Sequence, residues 1–218
     1  MSNAFSVLRV FALILLMFGT TMLLPLSASW IFNDGAQSAY DEGIVITLLA
    51  ALALWWFTRR HHEELKVRDG FLLVVLTWVG LPVFATIPLL AYYWPKLSFT
   101  DAYFETVSGL TTTGATVLEG LDALPFSINL WRAELVWIGG MGIIVLAVAI
   151  LPLLGVGGSQ LFKAESPGCM KDTKLTPRIG DTAKGLWAVY AIVTLACIVS
   201  FRLAGMTWVD AIIHGFST

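Results

Sequence analysis

The chain has 218 residues, of which 57% are hydrophobic and 13% charged, with a mean hydropathy of +0.80; an ordinary soluble domain carries roughly a quarter charged residues. So apolar a chain cannot enclose all its apolar side chains, which excludes an ordinary soluble enzyme and sends the excess to lipid. Thirteen Lys and Arg against 15 Asp and Glu give a net charge of −2, which argues against a nucleic-acid partner.

Five apolar stretches predict helices: 5–29, 43–57, 71–94, 135–154 and 185–204. At about 1.5 Å per residue the first, third, fourth and fifth can cross roughly 30 Å of hydrocarbon, and the second does so only if residues 38–42 extend it. The first admits a second reading as a cleaved signal peptide: Arg9, an apolar run over 10–24, then Ser27, Ala28 and Ser29. Pro82 and Pro88 predict a bend in the third. Of the 13 basic residues, ten fall at Arg9, in 58–69 and in 155–184, whereas 30–42 and 92–133 hold only Lys96 and Arg132 among seven acids. Lys and Arg gather on the cytoplasmic side, which places the N-terminus there. Trp30, Trp94, Trp131 and Trp208 then fall near the outer boundary and Trp55 and Trp56 near the inner one. Cys169 and Cys197 lie in the second basic loop and the last span, an arrangement that suggests neither a structural disulfide nor redox work.

Between the third and fourth spans, residues 98–116 are too short for a span and too patterned for a loop. Ser98 or Thr100 can cap a short helix, Asp101 suits its first turn, and Gly109 marks its stop. About ten helical residues cover about 15 Å, half a bilayer, so this helix can enter and must return. The return segment is Thr111-Thr112-Thr113-Gly114-Ala115-Thr116. Exposed backbone at membrane depth survives only where protein or a wet cavity receives it. Its carbonyls can replace the water shell of a cation, with Gly114 supplying positive φ and the helix C-terminus favouring positive charge. From spacing alone, the same residues also read as a polar turn leading to the next span. Glu105, a carboxylate in membrane surroundings, hydrogen-bonds the return backbone or faces a wet vestibule, and a supporting role for the return segment is the favoured reading.

A weak internal repeat follows. Residues 210–217 align with 101–108 at an offset of 109, with Asp, Ala and Ser identical, just after the last apolar stretch. His214 then stands where Glu105 stands, and reads either as pore-facing or as packing. The adjacent His61, His62, Glu63 and Glu64 offer no spaced ligand pair for a metal. Gly139, Gly140 and Gly142, with Gly155, Gly157 and Gly158, permit close helix packing. Nothing resembles a nucleotide site, because the glycines at 155–158 follow an apolar span and lack the P-loop lysine pattern.

The passages FETVSGLTTTGAT at 104–116, WIGGMGIIVLAVAILPLLGVGG at 137–158 and KLTPRIGDTAKGLW at 174–187 resemble the TrkH/KtrB superfamily of potassium transporters, and within it the TrkH branch. The leading helices resemble that branch's extra N-terminal pair, so the likeness covers essentially the whole chain. The resemblance implies an all-α integral membrane protein of helix, re-entrant pore loop, helix repeats, present here in incomplete form. Residues 1–68 would be the N-terminal two-helix unit and 69–158 the first pore repeat, with its filter segment at 111–116. Residues 159–183 would be a cytoplasmic linker, and 184–218 the truncated start of a second repeat.

The positions matching the family filter are Thr112, Thr113 and Gly114, with Thr111 just before them; their backbone carbonyls would coordinate a dehydrated potassium ion. One glycine, where the channel loop TVGYG has two, argues against strict selectivity. The resemblance further implies potassium uptake across the bacterial inner membrane, no enzymatic chemistry and no organic cofactor. It also implies a homodimer of the full-length protein and a cytosolic nucleotide-binding regulatory subunit docking on the basic loop 163–184. The third-repeat gating loop and fourth-repeat arginine of the family lie beyond this sequence, so the chain reads as the N-terminal part of a larger subunit. The alternative is a non-conducting truncated paralogue that assembles with full-length subunits.

Overall fold

The computed structural model describes residues 4–61, 66–93, 95–150 and 175–218. His62, Glu63, Glu64, Trp94, Cys169, the glycines at 155–158 and the basic residues from Lys163 to Lys174 lie outside the described residues. The described regular structure is helical: α1 Ala4–Thr21, α2 Leu23–Phe32, α3 Gln37–Thr58, α4 Val67–Tyr93, α5 Phe99–Leu110, α6 Phe126–Ile150, α7 Leu175–Leu203 and α8 Trp208–Ser217, with a 3-10 turn at Leu121–Ala123. Four stretches, Ala4–Phe32, Gln37–Thr58, Arg68–Tyr93 and Ala183–Leu203, are long and apolar enough to cross a membrane. The chain is therefore of the all-α membrane class.

Each boundary has a local cause. The first apolar stretch breaks at Met22 because Pro25 has no N–H for the carbonyl of Thr21, and its ring crowds that carbonyl. The second stretch reaches spanning length because α3 begins at Gln37, taking in residues 38–42; its 22 residues measure about 33 Å. Asp69 caps the start of α4 by accepting from the Lys66 N–H at 3.1 Å, and the helix runs on through Pro82 and Pro88. The fourth stretch coincides with α6 as far as Ile150 and then leaves the described residues. Helix α7 starts at Leu175, ten residues before the predicted apolar stretch, so part of the expected linker is helical.

The chain divides into two compact units, Met1–Trp137 with Ser217, and Ile138–Phe216 with Thr218. In the first, α1 packs on α3 and α4, and α4 on α3 and α5. Glycines sit at these crossings. A Cβ at Gly43 would lie 2.8 Å from Pro88, one at Gly80 2.7 Å from Phe11 and one at Gly19 3.0 Å from Leu48, so small residues set the interhelical distance. The sequence pattern pointed instead to Gly139, Gly140 and Gly142; at Gly142 a Cβ would meet nothing within 4 Å among the described residues.

Trp131 corrects a second expectation. It is fully buried rather than interfacial, with its indole N–H donating to the Ala85 carbonyl at 3.2 Å and its ring 5.7 Å from that of Phe18. An indole with a partner for its N–H is as good a core residue as a boundary one. Trp30, Trp56 and Trp208 are exposed, which leaves them available to a membrane boundary.

The start of α6 is held from 93 residues away. Asp34, between α2 and α3, accepts from the Ser127 N–H at 3.0 Å, from the Ala36 N–H at 3.2 Å and from the Ser29 hydroxyl. Tyr40 adds a 2.8 Å bond from its hydroxyl to the Ser127 carbonyl. A carboxylate on the free N–H groups of a helix N-terminus both satisfies them and meets the positive end of its dipole. Burial raises the pKa of Asp34, but the hydrogen bonds from Ser29, Ser127 and Ala36 outweigh it and hold the carboxyl below its ordinary value.

In the second unit, α8 packs against α7 where a Cβ at Gly215 would collide with Ile198. Its N-terminus repeats that of α5. Ser98 donates to Asp101 at 2.7 Å and accepts the Asp101 N–H at 3.1 Å; Thr207, 109 positions on, donates to Asp210 at 2.7 Å and accepts its N–H at 3.2 Å. The offset seen in the residues thus recurs as one reciprocal cap.

Candidate functional site

Helix α5 is 12 residues long, about 18 Å. One face is fixed to α4 by the Tyr103 hydroxyl on the Val79 carbonyl and the Thr106 hydroxyl on the Pro82 carbonyl, both at 3.1 Å. Leu135 of α6 lies 3.1 Å from where a Cβ of Gly109 would stand. The helix ends at Leu110, one residue past the expected stop.

The chain then doubles back along α5. The N–H groups of Thr111 and Thr112 donate to the carbonyls of Val107 at 2.8 Å and Gly109 at 2.9 Å, and those of Thr113 and Gly114 to the Ser108 carbonyl at 2.9 and 3.4 Å. The Ser108 hydroxyl reaches the Ala115 carbonyl at 2.6 Å, and the Thr111 and Thr113 hydroxyls meet at 2.8 Å. Four successive amides are thus spent on the helix end, which satisfies the carbonyls a helix C-terminus leaves open. No donor among the described residues reaches the carbonyls of Thr112, Thr113 or Gly114, and these residues are exposed. The sequence-predicted residues Thr111, Thr112, Thr113 and Gly114 therefore form one continuous segment with open carbonyl oxygens.

The backbone reaches this form through two positive-φ residues, Gly114 at 74° and Thr112 at 56°. The first was expected. The second was not, because a β-branched residue in the left-handed region is a genuine outlier that its neighbours must impose. At Gly114 a Cβ would meet nothing within 4 Å, so the need for glycine is conformational rather than steric.

Behind the segment sits an ion pair. Glu105, 5% exposed, accepts from the Arg132 Nε–H at 2.7 Å and pairs with its Nη2 at 2.7 Å; it also accepts from the Thr116 hydroxyl at 2.9 and 3.0 Å and from the Val117 N–H at 3.1 Å. Arg132 also donates to Thr116 and to the Asn129 side chain, each at 3.2 Å, and Asn129 holds the Leu121 carbonyl at 2.8 Å. Of the two settings expected for Glu105, this is the one in contact with the return backbone. Arg132 was visible in sequence only as one of two basic residues among outer acids. His214 bonds the Asp210 carbonyl through Nδ1 at 2.8 Å, and its ring lies 6.1 Å from that of Phe201.

A half-length helix followed by a segment of open carbonyls, in a chain with four stretches long and apolar enough to cross a membrane, has the form of a membrane cation site. A family model described as TrkH, a cation transport protein, matches residues 36–218; the chain belongs to that family. It is 53% identical over 213 residues to the Trk system potassium uptake protein TrkH of Vibrio parahaemolyticus serotype O3:K6, covering 98% of this chain and 44% of that protein. Identity to the TrkH protein of Escherichia coli K12 is 49% with the same coverage, and to TrkG of that strain 43% over 202 residues, covering 93% of this chain and 42% of that protein. The crystal structure of the potassium transporter TrkH from Vibrio parahaemolyticus superposes with a TM-score of 0.83 at 47% identity, over 97% of this chain and 42% of that one. The chain thus spans less than half the length of these relatives.

Proposed function

We propose that the chain is the N-terminal portion of a potassium uptake subunit of the bacterial inner membrane, its N-terminus cytoplasmic. Helix α5 and the segment after it form a re-entrant pore loop, and the carbonyls of Thr112, Thr113 and Gly114, with Thr111 at the edge, replace water around potassium. The chain carries out translocation rather than catalysis and uses no organic cofactor. Residues 1–68 form the N-terminal helical unit, 69–158 the first pore repeat, 159–183 the linker and 184–218 the start of a second repeat. The complete subunit works as a homodimer with a cytosolic nucleotide-binding regulator on the 163–184 loop.

The observation that carries this reading is the one-sided use of the backbone at 111–114: amides consumed by α5, carbonyls left open. A polar turn gains nothing from that polarity, whereas a cation site needs it. The test is Gly114→Val in the complete subunit, in cells lacking other potassium uptake. A β-branched residue cannot hold φ near 74° without a cost of about 1–3 kcal/mol, so the carbonyls turn away. Uptake should be lost with the protein still in the membrane; undiminished uptake would refute the filter assignment.

A further inference from the structure

The ion pair behind the segment is more than a buried charge with a partner. Glu105 touches the chain on the far side of Gly114, at Thr116 and Val117, while Ser108, one helical turn on, touches it at Thr113, Gly114 and Ala115. One small recess is lined by Glu105, Ser108, Gly114, Ala115 and Arg132, so the guanidinium and carboxylate border the backbone whose shape the proposed filter depends on. Arg132 approaches from α6 and Glu105 from α5; the two helices and the return segment meet through five polar contacts on one carboxylate.

A planar guanidinium holds Glu105, Thr116 and Asn129 at once, which a lysine ammonium cannot do in fixed geometry. The segment itself is strained at Thr112, and its carbonyls at 112–114 have no donor among the described residues. Strain of that kind persists only where surrounding contacts over-determine it. The front of the segment must stay open, so the restraint comes from behind.

We propose that Arg132, Glu105 and Thr116 form a positioning latch that sets ion selectivity by fixing the spacing of the carbonyls at 112–114. This rests on the filter reading above. None of the three touches the ion. Loss of the latch lets the segment relax around ions of other sizes, so discrimination falls before transport does.

The test uses the complete subunit in proteoliposomes, measuring potassium, rubidium and sodium uptake for Glu105→Gln, Thr116→Val, their double variant and Arg132→Lys. Thr116→Val leaves the ion pair intact, and the guanidinium freed by Glu105→Gln is a fifth exposed and keeps the Asn129 side chain as an acceptor, which limits the cost of its lost partner. Each single variant should lower the preference for potassium over sodium about tenfold, equivalent to about 1.4 kcal/mol, while potassium uptake stays within a few-fold. The double variant should be no worse than the worse single, since contacts in one unit are not additive. Arg132→Lys should fail to restore the preference. Unchanged ratios, strictly additive losses, full preference with lysine, or an equal fall for every cation would each overturn the latch. Gly114→Val separates the two readings: if it abolishes uptake while the latch variants keep their ratios, the latch fails and the filter stands; if it changes nothing, the filter reading itself has failed.

Discussion

Replacing Asp34 by Ala removes the acceptor for two backbone N–H groups, Ser127 at 3.0 Å and Ala36 at 3.2 Å, and for the Ser29 hydroxyl. Hydrogen bonds to a charged group are worth about 1.5–3 kcal/mol, and losing a helix N-cap costs roughly 0.5–2 kcal/mol. Asp34 is only half-buried, so solvent screening discounts the charge contribution. The net loss should be about 2 kcal/mol for Asp34→Ala and about 1 kcal/mol for Asp34→Asn, which keeps one acceptor oxygen. For a chain of this size that is about 4–8 °C and 2–4 °C in Tm, read by tryptophan fluorescence in detergent. The carboxyl is held below its ordinary value of 3.8. Its stabilisation is therefore complete above that value and is lost as pH falls through the lower folded one. Asp34→Asn should remove this part of the acid sensitivity. Equal melting temperatures at neutral pH, or an identical acid profile in the variant, would refute the assignment of Asp34 as the anchor of α6.

Two further substitutions test the packing around the site. Ser108→Ala deletes the hydroxyl that holds the Ala115 carbonyl at 2.6 Å; the loss of about 1 kcal/mol should reduce potassium uptake measurably while leaving more activity than Gly114→Val does. Trp131→Phe removes the indole bond to Ala85 and part of a fully buried side chain; a cost of about 1–3 kcal/mol should lower Tm with little change in cation preference.

What could be read from the sequence was what depends on neighbours in the chain. The cap at Ser98, the half-length helix, the positive φ of Gly114 and the demand of Glu105 for a polar partner all follow from residues within a dozen positions of one another. The structure adds what only folding brings together. Arg132 lies 27 residues from Glu105 and Asp34 lies 93 from Ser127; in the linear chain both were anonymous outer charges. Thr112 was illegible for the opposite reason, since its own propensity argues against the conformation it adopts. Trp131 shows the limit of residue type as a guide to depth: a tryptophan suits a membrane boundary or a core, and only the partner for its N–H decides.

The shared cap at Ser98 and Thr207 has an evolutionary corollary. When a unit is duplicated inside one polypeptide, each copy is free to drift alone, so a change made once is expressed once. A ring built from identical chains has no such freedom, because every substitution arrives at all positions together. Position 105 is a glutamate and position 214, 109 residues on, a histidine, so the two stretches share their cap and differ at the residue that in the first pairs with Arg132.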